Sequence, residues 1–429
     1  MIKRLLAEKY NIEDNIIDFV CECENELNPK FRELDEIKEY NQYKVLSALQ
    51  KNRVSDIHFG WRTGYGYDDP GRDATEQVYA DIFNTESALV RPTIVNGTHA
   101  LGITLMGILR PGDELIYCSD GPYDTLEEVI GIREKGKGSL ADFGISYKEV
   151  KLKPDGNMDF EAIEKTITAK TKMVCVQRST GYSWRKALTI PQIKEWADFI
   201  HSNWPNIVCM ADNCYGEFTD ILEPTDVGVD IIAGSLIKNP GGGLALSGGY
   251  VCGKRKLVDL VGYRMTCPGI GAECGLTFGQ TRATLQGSFL APAVVNGALK
   301  SAVLCGKVFS KLGYKICQKI DDKRSDIIQA IELGDEDSVV AFCQGIQEAA
   351  PVDSFVSPEP WDMPGYEDKV VMAAGAFVQG SSIELSADAP MRKPFIAYFQ
   401  GGLTYEHGKL GVLAAVNKLA GKGLLKGDM

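Results

Sequence analysis

The sequence is poor in the residues from which metal centres are built. It contains 4 histidines, and its 12 cysteines are scattered singly, with Cys21 and Cys23 as the one close pair and no Cys-x-x-Cys spacing. Structural zinc sites need such paired ligands, so no metal site is expected. Single cysteines in apolar surroundings, such as Cys175 and Cys252, are typical of buried, reduced thiols in a cytoplasmic protein.

Excess positive charge and long apolar runs are lacking as well. The 46 Lys and Arg residues are outnumbered by 58 Asp and Glu residues, which gives a formal net charge of −12. Such a balance argues against a nucleic-acid or membrane-surface partner. No apolar run approaches the roughly 20 residues that span a bilayer, and the first residues have no signal-type apolar core. We therefore expect a cytoplasmic protein with a small-molecule ligand.

The middle of the chain alternates short apolar stretches with helical ones. Short, almost wholly apolar strands indicate a largely parallel sheet that is covered on both faces. The sequence therefore predicts a doubly wound α/β fold. The expected strands are residues 90–95, 114–118, 172–177, 207–212, 230–234 and 249–253.

Three regions are predicted. Residues 1–60 mix charged and apolar residues at helical spacing and form an N-terminal helical arm. Residues 61–300 are the large α/β domain. Residues 301–429 form a smaller α+β domain, with a helix expected at 325–333 and a last helix from His407.

A glycine- and aromatic-rich loop joins the arm to the large domain. It runs from Phe59 to Arg72 and includes Arg62, Tyr65 and Tyr67. Rigid aromatics and arginines suit an anionic ligand, and they equally suit a loop buried at an interface. Both interpretations are open at this point.

Three features fall where predicted strands end. The free N–H groups of Asn96-Gly97-Thr98-His99 favour a phosphate, although these residues also make a good helix cap. Asp212 ends an apolar strand, where a carboxylate needs a cationic or N–H partner; a helix cap or a buried salt bridge would explain it too. Lys238 lies in a small-residue turn that would lower its pKa and favour covalent amine chemistry, unless it is an ordinary solvated lysine.

These three features would meet at one edge of a parallel sheet. An anion cradle, a buried carboxylate and a reactive lysine together suit pyridoxal 5′-phosphate, which carries a phosphate, a pyridine nitrogen and an aldehyde. Tyr123 follows a neighbouring strand, where its ring would stack on the cofactor. The sequence therefore predicts a pyridoxal-phosphate site.

The same stretches resemble a known family. The chain is similar to the fold-type I pyridoxal-phosphate enzymes, in particular the methionine γ-lyase-like or aluminium-resistance group related to the cystathionine β/γ-lyases. The resemblance extends from Gly64 to Tyr405. The motifs that carry it are Asn96-Gly-Thr-His-Ala100, Gln177-Arg-Ser179 with Gly181-Tyr182, Asp212-Asn-Cys-Tyr-Gly-Glu-Phe218 and Ser235-Leu-Ile-Lys-Asn-Pro-Gly-Gly-Gly243.

The resemblance implies a role for each cofactor-binding residue. Lys238 would form the Schiff base and later move the proton at the substrate Cα, and Asp212 would pair with the pyridine nitrogen. Tyr123 would stack on the ring. The phosphate would be held by Gly97, Thr98 and Ser235.

The resemblance also implies shared active sites in a homo-oligomer, a dimer or a tetramer. Tyr65 or Tyr67 and Arg72 are the nearest matches to the tyrosine and arginine that a neighbouring subunit supplies in related lyases. A substrate carboxylate needs an arginine for bidentate recognition. Arg392 is the first candidate and Arg178 the second.

Three functions are compatible with these residues. The leading hypothesis is a carbon–sulfur lyase that releases a thiol, a 2-oxo acid and ammonia from a sulfur amino acid. The second keeps the cofactor in an aminotransferase, an aldolase or a racemase. The third is a phosphate- or nucleotide-binding regulatory protein, in which Lys238 would be dispensable for binding.

Overall fold

The chain folds around two sheets of unequal size. The computed structural model describes residues 1–133, 136–363, 366–427 and 429. The first part of the chain, which is predicted to be helical, forms three helices. They are α1 (Ile2–Tyr10), α2 (Asp14–Glu26) and α3 (Asn28–Lys51). The buried Asn41 of α3 donates hydrogen bonds to the carbonyls of Phe218 and Asp220, which attaches this helix to the large sheet's layer.

Seven strands form the large sheet, in the spatial order β1-β7-β6-β5-β4-β2-β3. Only β7 runs antiparallel to its neighbours. The strands are β1 (Ser87–Arg91), β2 (Glu114–Tyr117), β3 (Ser146–Glu149), β4 (Thr171–Gln177), β5 (Val208–Asp212), β6 (Ile231–Ser235) and β7 (Gly249–Gly253).

Helices cover both faces of this sheet, and its central strands are therefore buried on both sides. Strands β5, β6 and β7 are buried at every residue. The covering helices are α4 (Pro70–Ile82), α5 (Gly97–Ile108), α6 (Asp124–Ile130), α7 (Phe160–Thr166), α8 (Ile190–Asn203) and α9 (Arg255–Met265). The mixed α/β fold with a mostly parallel sheet is therefore confirmed.

One long helix, α10 (Thr281–Lys311), connects the two sheets. By length and composition alone it could cross a membrane, but 78% of its most apolar stretch is buried inside the protein. It packs against α3 and, further along the chain, against the last helix. The predicted boundary between residues 300 and 301 falls inside this helix.

The smaller sheet is antiparallel, in the order β10-β11-β12-β9-β8. Its strands are β8 (Lys315–Cys317), β9 (Ile328–Glu332), β10 (Val370–Ala373), β11 (Ser386–Pro390) and β12 (Ile396–Gln400). Helices α11 (Glu336–Glu348) and α12 (Tyr405–Gly421) pack together beside it.

The helix predicted at residues 325–333 is wrong, because this stretch contains strand β9. Ile328 and Ala330 face one apolar cluster, while Ile331 faces the main core. With both faces buried, the strand has no polar alternation, and its apolar run looks like a helix segment in the sequence alone.

Candidate active site

Three neighbouring strands of the large sheet deliver polar side chains to one edge. Strands β4, β5 and β6 are parallel and adjacent. They end at Gln177, Asp212 and Ser235, and all three residues line a cavity of about 220 Å³. Lys238 lines the same cavity three residues beyond β6. The sheet topology thus brings together the carboxylate and the lysine that the sequence singled out.

The N-terminus of helix α5 forms another wall of this cavity. Asn96 caps the helix by accepting a hydrogen bond from the His99 amide. Gly97 lies close to β6: a Cβ there would be 3.3 Å from the Cβ of Ser235. Thr98 shares a 2.6 Å hydroxyl–hydroxyl hydrogen bond with Thr125. Free helix N–H groups, the helix dipole and nearby hydroxyls suit an anion.

Asp212 is a buried carboxylate without a cation. It is 6% exposed and accepts a 3.1 Å hydrogen bond from the Cys214 amide. Within the described residues, no lysine or arginine lies at ion-pair distance from it. Burial raises the pKa of Asp212 to about 6, against hydrogen bonds from Cys214 that lower it. A buried carboxylate of this kind attracts a cationic partner from a ligand.

Lys238 is partly buried between the two sheets. Its Nζ donates hydrogen bonds of 2.7 Å to the Gly380 carbonyl and to Ser382 Oγ. The same atom lies 5.2 Å from the ring centroid of Tyr215. Desolvation lowers the pKa of Lys238, while Cys214 and Asp388 act to raise it. A lowered pKa increases the fraction of neutral amine, which is the nucleophilic form.

A second cavity of about 200 Å³ adjoins the first and is also lined by Lys238. It shares Tyr123 and Tyr215 with the first cavity and is closed by residues of the smaller sheet and its loops. Among them is Asp388 of β11, a buried acid that the sequence interpretation missed. The signal was available, because Asp388 interrupts small apolar residues on a strand, as Asp212 does.

The structure separates the two arginine candidates for a substrate carboxylate. Arg178 is fully buried, and its Nη1 lies 2.9 Å from a carboxylate oxygen of Glu223, which is also fully buried. It also donates hydrogen bonds to three other side chains, those of Ser325, Asn213 and Thr219. A guanidinium so engaged favours a structural role over the predicted substrate contact.

Arg392 is free to move by comparison. It is 49% exposed and makes a 3.1 Å ion pair with Asp368. It does not line either cavity within the described residues, but its charge reaches Tyr398, where it opposes the rise in pKa that burial causes. The predicted contact of Arg392 with the substrate stays a prediction.

The aromatic loop lies away from both cavities of this chain. Tyr67 is 56% exposed and stacks on Tyr65 with ring centroids 5.4 Å apart. Arg72 is buried beneath the loop and donates a 2.6 Å hydrogen bond to the Gly66 carbonyl. Arg72 thus holds the loop that presents Tyr67, and the predicted roles of both residues concern a second subunit.

Three residues of metal-ligand type meet at the opposite edge of the large sheet. Ligand atoms of His201, Cys209 and Asp230 all lie within 4.8 Å of one another. The Lys254 ammonium is 2.5 Å from Asp230, and the Cys209 amide donates a 2.7 Å hydrogen bond to the same carboxylate. Burial raises the pKa of the Cys209 thiol, which disfavours a metal-binding thiolate. The cluster is charge-balanced by Lys254.

Comparison with known proteins identifies the family. The sequence profile of the family described as methionine gamma-lyase matches residues 16–420. The chain belongs to the methionine gamma-lyase family. It is 50% identical over 405 residues to the uncharacterized protein YnbB of Bacillus subtilis (strain 168), which covers 94% of this chain and 96% of that protein. The predicted family resemblance is confirmed.

Solved structures of this family and its relatives agree with the fold. A carbon-sulfur lyase involved in aluminum resistance from Clostridium novyi NT is 52% identical, with a TM-score of 0.94 over 97% of this chain and 98% of that one. Cystathionine gamma-lyase from Lactobacillus plantarum is 18% identical, with a TM-score of 0.57 over 82% of this chain and 86% of that one. At that identity the likeness shows a shared fold.

Proposed function

We propose that this protein is a carbon–sulfur lyase that uses pyridoxal 5′-phosphate held by Lys238. It would release a thiol, a 2-oxo acid and ammonia from a sulfur amino acid. One observation carries the proposal: a buried carboxylate without a cation, Asp212, shares a cavity with a lysine of lowered pKa, Lys238, and with the N-terminus of a helix. The carbon-sulfur lyase from Clostridium novyi, half identical in sequence, supports the reaction class.

The residues of the cavity fit each part of the cofactor. The N–H groups at Gly97 and Thr98, with the hydroxyl of Ser235, would hold the phosphate. Asp212 would supply the counter-charge for a protonated pyridine nitrogen. Lys238 would hold the aldehyde carbon. When bound, the cofactor supplies an electron sink for charge that develops at the substrate Cα.

The chain's own groups would then act as acid, base and supports. The Lys238 amine would take the proton from the substrate Cα and return one during elimination. Tyr123 would stack on the ring, and its hydroxyl is held by a 2.8 Å hydrogen bond with Tyr366. Arg392 would bind the substrate carboxylate.

We further propose that the active form is a homo-oligomer with shared sites. Trp61, Tyr65 and Tyr67 expose 71%, 73% and 56% of their area. Three large exposed aromatic side chains on one short loop form a patch, unlike the single exposed apolar residues that are common on protein surfaces. Aromatic residues are enriched in the cores of protein interfaces. A second copy would cover the loop and receive Tyr67 at its own cavity.

The test begins with reconstitution. Protein incubated with pyridoxal phosphate and reduced with borohydride should carry the label on Lys238 by peptide mapping, whereas Lys238→Ala should carry none and lose all turnover. Thiol, pyruvate, 2-oxobutyrate and ammonia are then assayed with methionine, cystathionine and cysteine. Labelling of other lysines, or full turnover by Lys238→Ala, would disprove the proposal.

The alternative reactions use the same residues and are separated by their products. An aminotransferase would yield no free ammonia, a racemase would leave the carbon–sulfur bond intact, and an aldolase would release an aldehyde in place of a thiol. A regulatory phosphate-binding protein would bind the cofactor equally well after Lys238→Ala.

A further inference from the structure

The second cavity beside Lys238 is lined by four tyrosines, one acid and one base. Its aromatic side chains are Tyr123, Tyr182, Tyr215 and Tyr366. Among the described residues that line it, Asp388 is the one acid and Lys238 the one base, and the others are small or apolar. Since Lys238 is reserved for the cofactor, the charge that this cavity offers to a ligand is negative.

Asp388 is rigidly placed and only partly satisfied. It is 6% exposed, and its Oδ2 accepts hydrogen bonds of 2.9 Å from the Tyr182 hydroxyl and 3.0 Å from Gln400 Nε2. Within the described part of the chain its Oδ1 has no hydrogen-bond partner. Gln400 belongs to β12, the strand paired with β11, so the carboxylate is fixed by the sheet itself.

Tyr182, which donates to this carboxylate, packs against two other tyrosines of the cavity. The Tyr182 ring lies 5.9 Å from Tyr123 and 5.7 Å from Tyr366, centroid to centroid. Tyr182 is in turn held through its carbonyl, which accepts a 2.7 Å hydrogen bond from the Tyr398 hydroxyl. Aromatic faces beside a carboxylate attract a cation, and Lys238 itself lies over Tyr215.

Asp388 and Lys238 favour each other's charged form, although no ion pair joins them. The Lys238 ammonium is directed to Gly380 and Ser382. Burial raises the pKa of Asp388 to about 6, against hydrogen bonds from Tyr182 and Gln400 and the charge of Lys238 that lower it. The Oδ1 of Asp388 is thus the carboxylate oxygen that is available to a ligand.

We propose that this cavity receives the substrate side chain and that Asp388, with the tyrosines of the cavity, recognises a positively charged group at its far end. The substrate class is therefore a thioether amino acid with a distal cation, such as an ammonium. The inference rests on the proposed function, because that function places the substrate amino acid beside Lys238.

The first experiment compares two substrates of equal length. S-(2-aminoethyl)-L-cysteine ends in an ammonium, and S-propyl-L-cysteine ends in a methyl group. Elimination of the first, with uptake of water, gives cysteamine, pyruvate and ammonia. We expect the holoenzyme to favour the cationic substrate by about 10- to 100-fold in kcat/KM, the range for a hydrogen bond to a buried charge.

Two variants test whether Asp388 and Tyr182 cause the preference for the cationic substrate. Asp388→Asn keeps the shape and should bring the ratio close to one, because it lowers kcat/KM for the cationic substrate much more than for the neutral one. Tyr182→Phe keeps the ring, loses one hydrogen bond to the carboxylate and should lose part of the preference. Asp321→Asn, which removes an exposed acid, is the control for net charge.

A binding measurement separates this inference from the reaction. L-lysine and L-2-aminoheptanoate have no leaving group but match the two substrates in length and charge. Calorimetry on the holoenzyme should show about tenfold tighter binding of lysine, lost in Asp388→Asn. If elimination fails but this preference is present, the proposed reaction is wrong and the cation site stands.

Three results would overturn the inference. The first is equal kcat/KM for the two substrates together with equal binding of the two analogues. The second is a loss in Asp388→Asn that affects both substrates alike, which would make Asp388 a positioning residue for Lys238. The third is a preference for S-carboxymethyl-L-cysteine, whose distal carboxylate would need a protonated Asp388.

Discussion

Lys238 Nζ lies 2.7 Å from Ser382 Oγ, so a residue that follows the large sheet is held by a loop that leads into the small one. The same Ser382 oxygen accepts a 3.0 Å hydrogen bond from the Tyr215 hydroxyl. The candidate catalytic amine is thus positioned by contacts across the interface of two sheets. Both the pKa of the Lys238 amine and its position therefore depend on the two sheets.

Ser382→Ala should speed the capture of cofactor by Lys238. The hydroxyl oxygen accepts from the ammonium, and loss of a hydrogen bond to the charged form lowers the pKa of an amine further. More neutral amine is then present near pH 7, and the pH midpoint of capture moves downward. Stopped-flow absorbance of pyridoxal phosphate binding between pH 6 and pH 10 measures it.

The control for this variant is Ser310→Ala, an exposed serine in α10. It should leave the midpoint unchanged. An upward move of the midpoint in Ser382→Ala would contradict the assignment of Ser382 as an acceptor for Lys238.

Asp212→Asn should stabilise the cofactor-free protein at pH 8 and weaken cofactor binding. Asp212 has a pKa of about 6 in the folded chain against an ordinary value of 3.8. The folded state therefore holds the proton more tightly, and burial of the charged form costs roughly 3 kcal/mol above pH 6. This cost declines as the pH falls from 6 towards 4, where the carboxyl is neutral.

Thermal unfolding of both proteins without cofactor checks the sign. The Asn variant should have the higher Tm at pH 8, and the two values should converge near pH 4. With saturating pyridoxal phosphate the order should reverse, because the cofactor adds more stability to the chain that binds it more tightly. Equal Tm values at pH 8 would show that Asp212 is not an unpaired charge.

The Arg178→Met variant should be less stable to unfolding than the wild type but should recognise the substrate equally well. Removing one partner of a buried ion pair leaves Glu223 uncompensated and costs about 3–5 kcal/mol. We expect a Tm lower by several degrees and, in the folded fraction, an unchanged KM. A raised KM at unchanged Tm would restore Arg178 as the substrate's arginine.

Arg392→Met should show the opposite behaviour. Its ion pair with Asp368 is half exposed, and such pairs contribute less than about 1 kcal/mol. Tm should therefore stay within a degree or two, while KM rises on the order of tenfold or more through loss of the substrate carboxylate's partner. Steady-state kinetics beside differential scanning fluorimetry measures both. An unchanged KM would remove Arg392 from the site.

Tyr67→Asp should dissociate the oligomer and abolish turnover together. A carboxylate buried against a second copy is costly, whereas on the surface of a monomer it is harmless. Sedimentation velocity at micromolar concentration should show smaller particles than for the wild type. Asp68→Asn, a neighbouring change on the same loop that adds no charge, is the control. A monomeric wild type with full activity would rule out shared sites.

The sequence by itself determined the large sheet and the polar residues that meet at its edge. Short apolar strands mark a sheet buried on both faces, and parallel strands bring their carboxyl ends together. Asp212 and Lys238 could therefore be placed at one edge before any coordinates. A local sequence pattern is sufficient to place a residue at the site when the residue lies at the end of a strand or at the start of a helix, as Gly97 and Thr98 do at the start of α5.

Only the tertiary structure decided which charges have partners. Arg178 and Arg392 look alike in the sequence, and Glu223, 45 residues along the chain from Arg178, separates them by burying one guanidinium. Asp388 reaches the cavity from β11 of the small sheet, whereas Lys238 reaches it from the turn after β6. Contacts between residues far apart in the chain leave no periodic pattern in the sequence. Strand β9 resembles a helix segment there because both of its faces are buried. Pairing and burial are properties of the folded chain.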